Sequence, residues 1–202
     1  METELSVKQH LEYLRQEARR LGATSSAVIS SNEIQVKESL AALCNGEYSC
    51  AKYGRAASCP PYVEGPLQFR RWQEQSNYSI TVKIELPTSV MFSEERKGVM
   101  QLLHQIVAEV ERNAIELGYR GSKAFAGGSC KDLFCEKNQN CAVVAEHKAC
   151  RHAEIARPSM SGFGIDVIHL MQSSGWPAQK ANKSNQADKD ATSWVAGLIL
   201  IA

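Results

Sequence analysis

Apolar residues recur at helical spacing near the start of the chain, at Val7, Leu11, Leu14, Ala18 and Leu21, and Gly22 follows as a stop. A short, partly β-branched run at 27–30 predicts a strand, and 34–43 is ambiguous between strand and helix. Pro66 can open a short helix carrying Leu67, Phe69 and Trp72. The clearest alternation comes next. Tyr78, Ile80, Val82, Ile84 and Leu86 interleave with Ser79, Thr81, Lys83 and Glu85, which predicts a half-buried strand ended by Pro87.

Ser93, followed by Glu94 and Glu95, is a plausible helix start. Val99, Leu103, Ile106, Val110, Ala114 and Leu117 form the buried stripe of that long helix, and Gly118 ends it. A short strand is expected at 123–126. Ser159 is expected to cap a turn, with a helix near 164–172, a polar loop over 177–192 and a final strand at 194–201. This order predicts an α+β fold in one domain over 1–202, with helices packed on a small, mostly antiparallel sheet. Two cysteine-rich segments, 44–61 and 127–160, are expected as metal-binding loops inserted into that frame.

Composition narrows the function. Hydrophobic residues make up 44% of the 202 residues, enough for an ordinary core. The net charge of +1 gives no electrostatic ground for a nucleic-acid or anionic-membrane partner. The acidic start lacks the features of a signal peptide, and no apolar run approaches the ~20 residues that span a bilayer. A cytoplasmic protein is therefore expected. P-loop, dinucleotide and nucleophile-elbow motifs are absent from the sequence, and no carboxylates are paired for acid–base work.

Seven cysteines in a reducing compartment then need a reason, because disulfides are disfavoured there and the count is odd. They fall into two groups. Cys130, Cys135, Cys141 and Cys150 have the spacing C-x4-C-x5-C-x8-C. Four thiolates are the usual complement of a [4Fe–4S] or [2Fe–2S] cluster, and they also suit zinc. Structural zinc usually relies on tight cysteine pairs, whereas a cluster offers several irons and accepts wider spacing, so an iron–sulfur cluster, [4Fe–4S] above all, is the leading expectation and zinc the alternative. Gly127-Gly128 before Cys130 lets the backbone approach sulfur closely, although a plain turn would use the same residues. Cys44, Cys50 and Cys59 form the second group, with Cys59-Pro60-Pro61 at its end. Three ligands underdetermine a site. They could leave one iron open, accept a non-cysteine ligand, or sit beside the other cluster. His147 and His152 flank Cys150 and are candidate nitrogen ligands, although such histidines are more often hydrogen-bonded or solvated.

Several of these pieces together resemble a known family. Cys50-Ala51-Lys52-Tyr53-Gly54 with Cys59-Pro60-Pro61, Gly127-Gly128-Ser129-Cys130, Cys150-Arg151-His152, Ala156-Arg157-Pro158-Ser159-Met160 and Gly164-Ile165-Asp166-Val167 look like the DUF2284 family of predicted metal-binding proteins. The resemblance implies cysteine-bound metal, as an iron–sulfur cluster, and implies no reaction. Two departures stand out. Many relatives have a tighter C-x2-C where this chain has Cys130-x4-Cys135, and many have Glu where this chain has Ser161.

The expected function is electron transfer, or a redox accessory role with a redox protein partner. Alternatives are an enzyme with an open cluster site on Cys44, Cys50 and Cys59, or a zinc-stabilised interaction module. Both cysteine groups are expected at one end of the domain, brought there by 123–126 lying near the strand that precedes Cys44.

Overall fold

The structure is a computed structural model and describes residues 4–45, 50–178 and 190–202. The two helical stripes become α1 (Glu4–Arg20) and α5 (Arg96–Glu116). Four strands form one antiparallel sheet: β1 (Ser25–Ser30), β2 (Tyr78–Pro87), β3 (Lys123–Phe125) and β4 (Thr192–Ile201). Their order is β1-β2-β4-β3. The short helices are α2 (Glu38–Ala42), α3 (Gly65–Glu74), α4 (Thr88–Met91), α6 (Cys130–Phe134), α7 (Ala142–Glu146) and α8 (Val167–Ser173), with 3₁₀ turns at Ser31–Glu33 and Met160–Phe163. The chain is thus α+β.

Both faces of the sheet are covered. On one face, Ile80, Val82 and Ile84 of β2 and Ile199 and Ile201 of β4 pack against Leu11, Leu14 and Ala18 of α1 and Leu103, Ile106 and Val110 of α5. On the other, Leu198 and Leu200 of β4 and Phe125 of β3 meet Phe69, Met160, Phe163 and Leu170. This explains why β4 is apolar at consecutive positions, since successive residues serve opposite faces.

The polar side of β2 departs from expectation. Ser79, Thr81 and Lys83 are buried along with the apolar side, so the strand is not half-buried. Each finds a partner. Ser79 Oγ shares a 2.7 Å hydrogen bond with Ser31 Oγ, and Thr81 Oγ1 one of 2.8 Å with Ser174 Oγ. Lys83 Nζ pairs with Glu85 at 2.7 Å and lies 5.1 Å from the centre of the Trp176 ring. Buried polar groups are tolerated when satisfied in this way.

Other boundaries shift. The long helix begins at Arg96, because the Ser93 hydroxyl accepts from the Glu95 amide at 3.2 Å and holds a preceding turn. Ser159 starts a 3₁₀ turn but makes no side-chain cap. The helix expected near 164–172 is α8, capped by Asp166, whose carboxylate accepts from the His169 amide. The ambiguous 34–43 stretch holds an isolated bridge at Val36 and then α2. The second cysteine segment is not simply a loop, since it contains α6 and α7. Most of the polar loop expected at 177–192 lies outside the described residues. Among those described, no helix is long and apolar enough to cross a membrane.

Candidate metal centre

The cysteine segments leave the frame at different places, yet they meet. Strand β3 continues into Ala126, whose amide donates to Pro158 O at 3.0 Å and whose carbonyl accepts from Met160 N at 3.0 Å. One residue over, Ser159 N donates to Ser58 O at 2.9 Å. The return of the second segment is therefore tied both to the end of β3 and to the turn that carries Cys59. Close approach reinforces the tie. A Cβ on Gly162 would stand 2.7 Å from Val63 Cγ2 and 3.0 Å from Pro60 Cδ. The ion pair Lys52–Asp132 adds a further link between the segments.

The junction centres on Cys59 and Cys130, which are buried in a small apolar cluster with Ala56, flanked by Phe134 and Ala156. The two cysteine groups thus adjoin, as expected, but by a different route. β3 and β1 occupy opposite edges of the sheet, so 123–126 does not lie beside the strand that precedes Cys44. The 158–160 crossing makes the connection.

Donors surround the sulfurs. The Ser58 hydroxyl accepts from Cys130 N at 3.3 Å and stands 3.8 Å from Cys59 Sγ, so its own proton is free to point at that sulfur. His152 N donates to Cys150 Sγ at 3.4 Å. Burial alone would push the Cys141 thiol up. The backbone amides of Ala57, Val144 and Val143, helped by the Arg151 guanidinium, outweigh it and hold this thiol below its ordinary range. Burial pushes Cys130 up to about 11, the Ser58 hydroxyl acting the other way and Cys150, Cys59 and Cys141 adding their repulsion. Cys59 is raised too, chiefly by burial, against the hydroxyls of Ser129 and Ser58. Burial, with the nearby Cys50 and Cys59, also raises Cys44. Several thiols thus crowd a low-dielectric region where adding negative charge is costly until a cation arrives.

Cys130 opens α6 and Cys135 closes it, both buried. Lys131, also buried, sends Nζ to the carbonyls of Cys135 at 2.8 Å and Asn138 at 2.7 Å, fixing the turn between Cys135 and Cys141. Cys130 and Cys150 face a cavity of about 420 Å³ that Ser58, Tyr62, Trp72 and Arg157 also line. Cys44, Cys50 and Cys59 face another, of about 150 Å³. Among the described residues no three His, Cys, Asp or Glu side chains converge as ligands of one metal ion do. His147 is exposed. His152 turns its ring to Phe134, with centroids 5.6 Å apart.

A family model described as "Predicted metal-binding protein (DUF2284)" matches residues 27–201. The chain belongs to the DUF2284 family. No curated protein and no solved structure matches it. Within this DUF2284 chain the donor set suits a metal–sulfur group: thiols of two segments, amide and hydroxyl donors on their sulfurs, and a glycine turn beside them.

Two residues that position the site escape a pattern reading. His104 is fully buried on α5. Its Nδ1 accepts from Arg157 N at 3.1 Å, so the neutral ring carries its proton on Nε2 and donates to Gly127 O, also at 3.1 Å. Burial, the main cause, lowers its pKa to about 4. Two turns on, Glu111 accepts from Ala124 N at 2.6 Å and from Arg157 Nε at 2.6 Å. One face of α5 thus holds both ends of the second segment. The seven-residue spacing of His104 and Glu111 is the signal that could have revealed this face.

Proposed function

We propose that this protein holds a [4Fe–4S] cluster on Cys130, Cys135, Cys141 and Cys150 and passes single electrons to a redox protein partner in the cytoplasm. The observation that carries this reading is the gathering of hydrogen-bond donors on thiol sulfurs: His152 N donates to Cys150 Sγ at 3.4 Å, and the Ser58 hydroxyl stands 3.8 Å from Cys59 Sγ. Apolar burial of a structural cysteine needs no such donors, whereas a thiolate ligand is stabilised and tuned by them. When bound, the cluster would supply a one-electron couple. The chain would ligate it, direct amides and hydroxyls at its sulfurs and keep water from Cys130 and Cys135. The spacing weighs for a cluster over zinc, because structural zinc usually relies on tight cysteine pairs and no second tight pair follows Cys130-x4-Cys135.

Anaerobic purification tests the reading. The protein is expected to be brown and to hold iron and acid-labile sulfide in similar amounts. Stoichiometric zinc without sulfide would overturn it.

A further inference from the structure

Resting on the cluster reading above, we infer that Cys44, Cys50 and Cys59 hold a second, separate iron–sulfur cluster, whose fourth iron lacks a cysteine and faces the hydroxyl of Ser129. The small cavity of about 150 Å³ is lined by these three cysteines and by Lys52, Tyr53, Ser129 and Ser159. Its volume equals that of about five liquid waters at ~30 Å³ each, room for a group of several atoms between the three thiols. Lining one cavity places Cys44, Cys50 and Cys59 round a common space.

Ser129 supplies the independent observation. It is 6% exposed, and its Oγ, near enough to Cys59 to lower that thiol, is the one buried side-chain polar atom among the described residues outside hydrogen-bond geometry to any partner. Leaving a buried hydroxyl unmatched is costly, so such an atom calls for an explanation. It lies in the wall of the cavity, beside Cys59, where no fourth cysteine stands. A water or hydroxide on the open iron would be its missing partner. Space for a larger oxygen-donor ligand adjoins, since a cavity of about 400 Å³ shares Cys44, Cys50 and Ser161 with the small one and is otherwise walled largely by Leu40, Leu43, Ile168 and Trp194. The fourth iron is the labile one. One-electron oxidation by ferricyanide converts [4Fe–4S]²⁺ to [3Fe–4S]⁺ with release of one Fe²⁺, the electron going to ferricyanide.

The test counts iron and records electron paramagnetic resonance on the full chain. Wild type is expected to hold about eight irons, two clusters of four. Cys44→Ser and Cys50→Ser, neither at a buried position, should each hold about half as much. Ferricyanide should release one iron per wild-type chain with a [3Fe–4S] signal. Ser129→Cys, which supplies the fourth thiolate, should suppress both. Four irons untouched by Cys44→Ser and Cys50→Ser but lost in Cys141→Ser would overturn the second cluster and leave the first standing. Loss of all iron in Cys44→Ser with an unchanged circular dichroism spectrum would also overturn it, in favour of one shared cluster. Absence of iron and sulfide from wild type would defeat the reading on which this inference rests.

Discussion

His104 shows how one side chain can organise a site without touching its sulfurs. It satisfies Gly127 O and Arg157 N at once. His104→Leu should leave two buried backbone groups unpaired and cost about 2–4 kcal/mol, read from urea unfolding. The same ring sets a pH dependence. Its folded pKa of about 4 lies below the ordinary 6.5, so the unfolded chain binds the proton that the fold refuses. Its contribution is complete above pH 6.5 and is lost as pH falls towards 4, by about 3 kcal/mol in all at 1.36 kcal/mol per unit. Wild type should lose that much more stability than His104→Gln over this range. Equal slopes for the two proteins would refute the assignment. Ser58→Ala makes a milder residue-scale test. The fold should persist, and the altered hydrogen bonding at Cys59 and Cys130 should appear as a shifted midpoint potential in anaerobic titration.

Among the elements, the turn from β3 into α6 makes a strict backbone demand. Gly128 has φ +82°, and a Cβ there would meet Met100 Cε at 2.8 Å. The Met100 side chain can move aside, but the backbone conformation cannot be relieved. Gly128→Ala should therefore cost about 1–2 kcal/mol, with little recovery in the double variant with Met100→Ala. The long elements were legible in the sequence because periodicity accumulates over many residues. α1, α5, β2 and β4 all declare themselves. α6 and α7 do not, since five residues cannot display a period and their cysteines mask what apolar pattern there is. The polar side of β2 misleads for another reason. Ser79 and Thr81 look solvent-facing, but partners from Ser31 and Ser174, distant in sequence, satisfy them inside. The cysteine groups were legible as chemistry. Their junction was not, because it depends on Ser58 and Ser159, two ordinary serines whose backbones meet.

For the molecule as a whole, the frame and the metal region are energetically separable. The two large apolar clusters on either face of the sheet contain no cysteine, and the buried cysteines Cys59 and Cys130 sit in a cluster of their own. Each fully buried Leu or Ile in the frame contributes about 1.5–3 kcal/mol regardless of metal. Chelated protein should therefore keep slow hydrogen exchange in α5, β2 and β4 while exchange accelerates at 50–61 and 130–156. Global loss of protection on chelation would show instead that the metal holds the fold together.

The sheet order carries a consequence for biosynthesis. β4 lies between β2 and β3, with Tyr78 opposite Ile201 on one side and Lys123 opposite Leu200 on the other. Both cysteine segments leave the ribosome before this strand does. Until β4 arrives, β2 and β3 have no shared partner, and the Ala126 crossing that brings Cys59 to Cys130 hangs from an edge not yet anchored. On the cluster reading, cofactor delivery to a nascent chain would find the two segments not yet joined, so loading would come late, after the strand that closes the sheet.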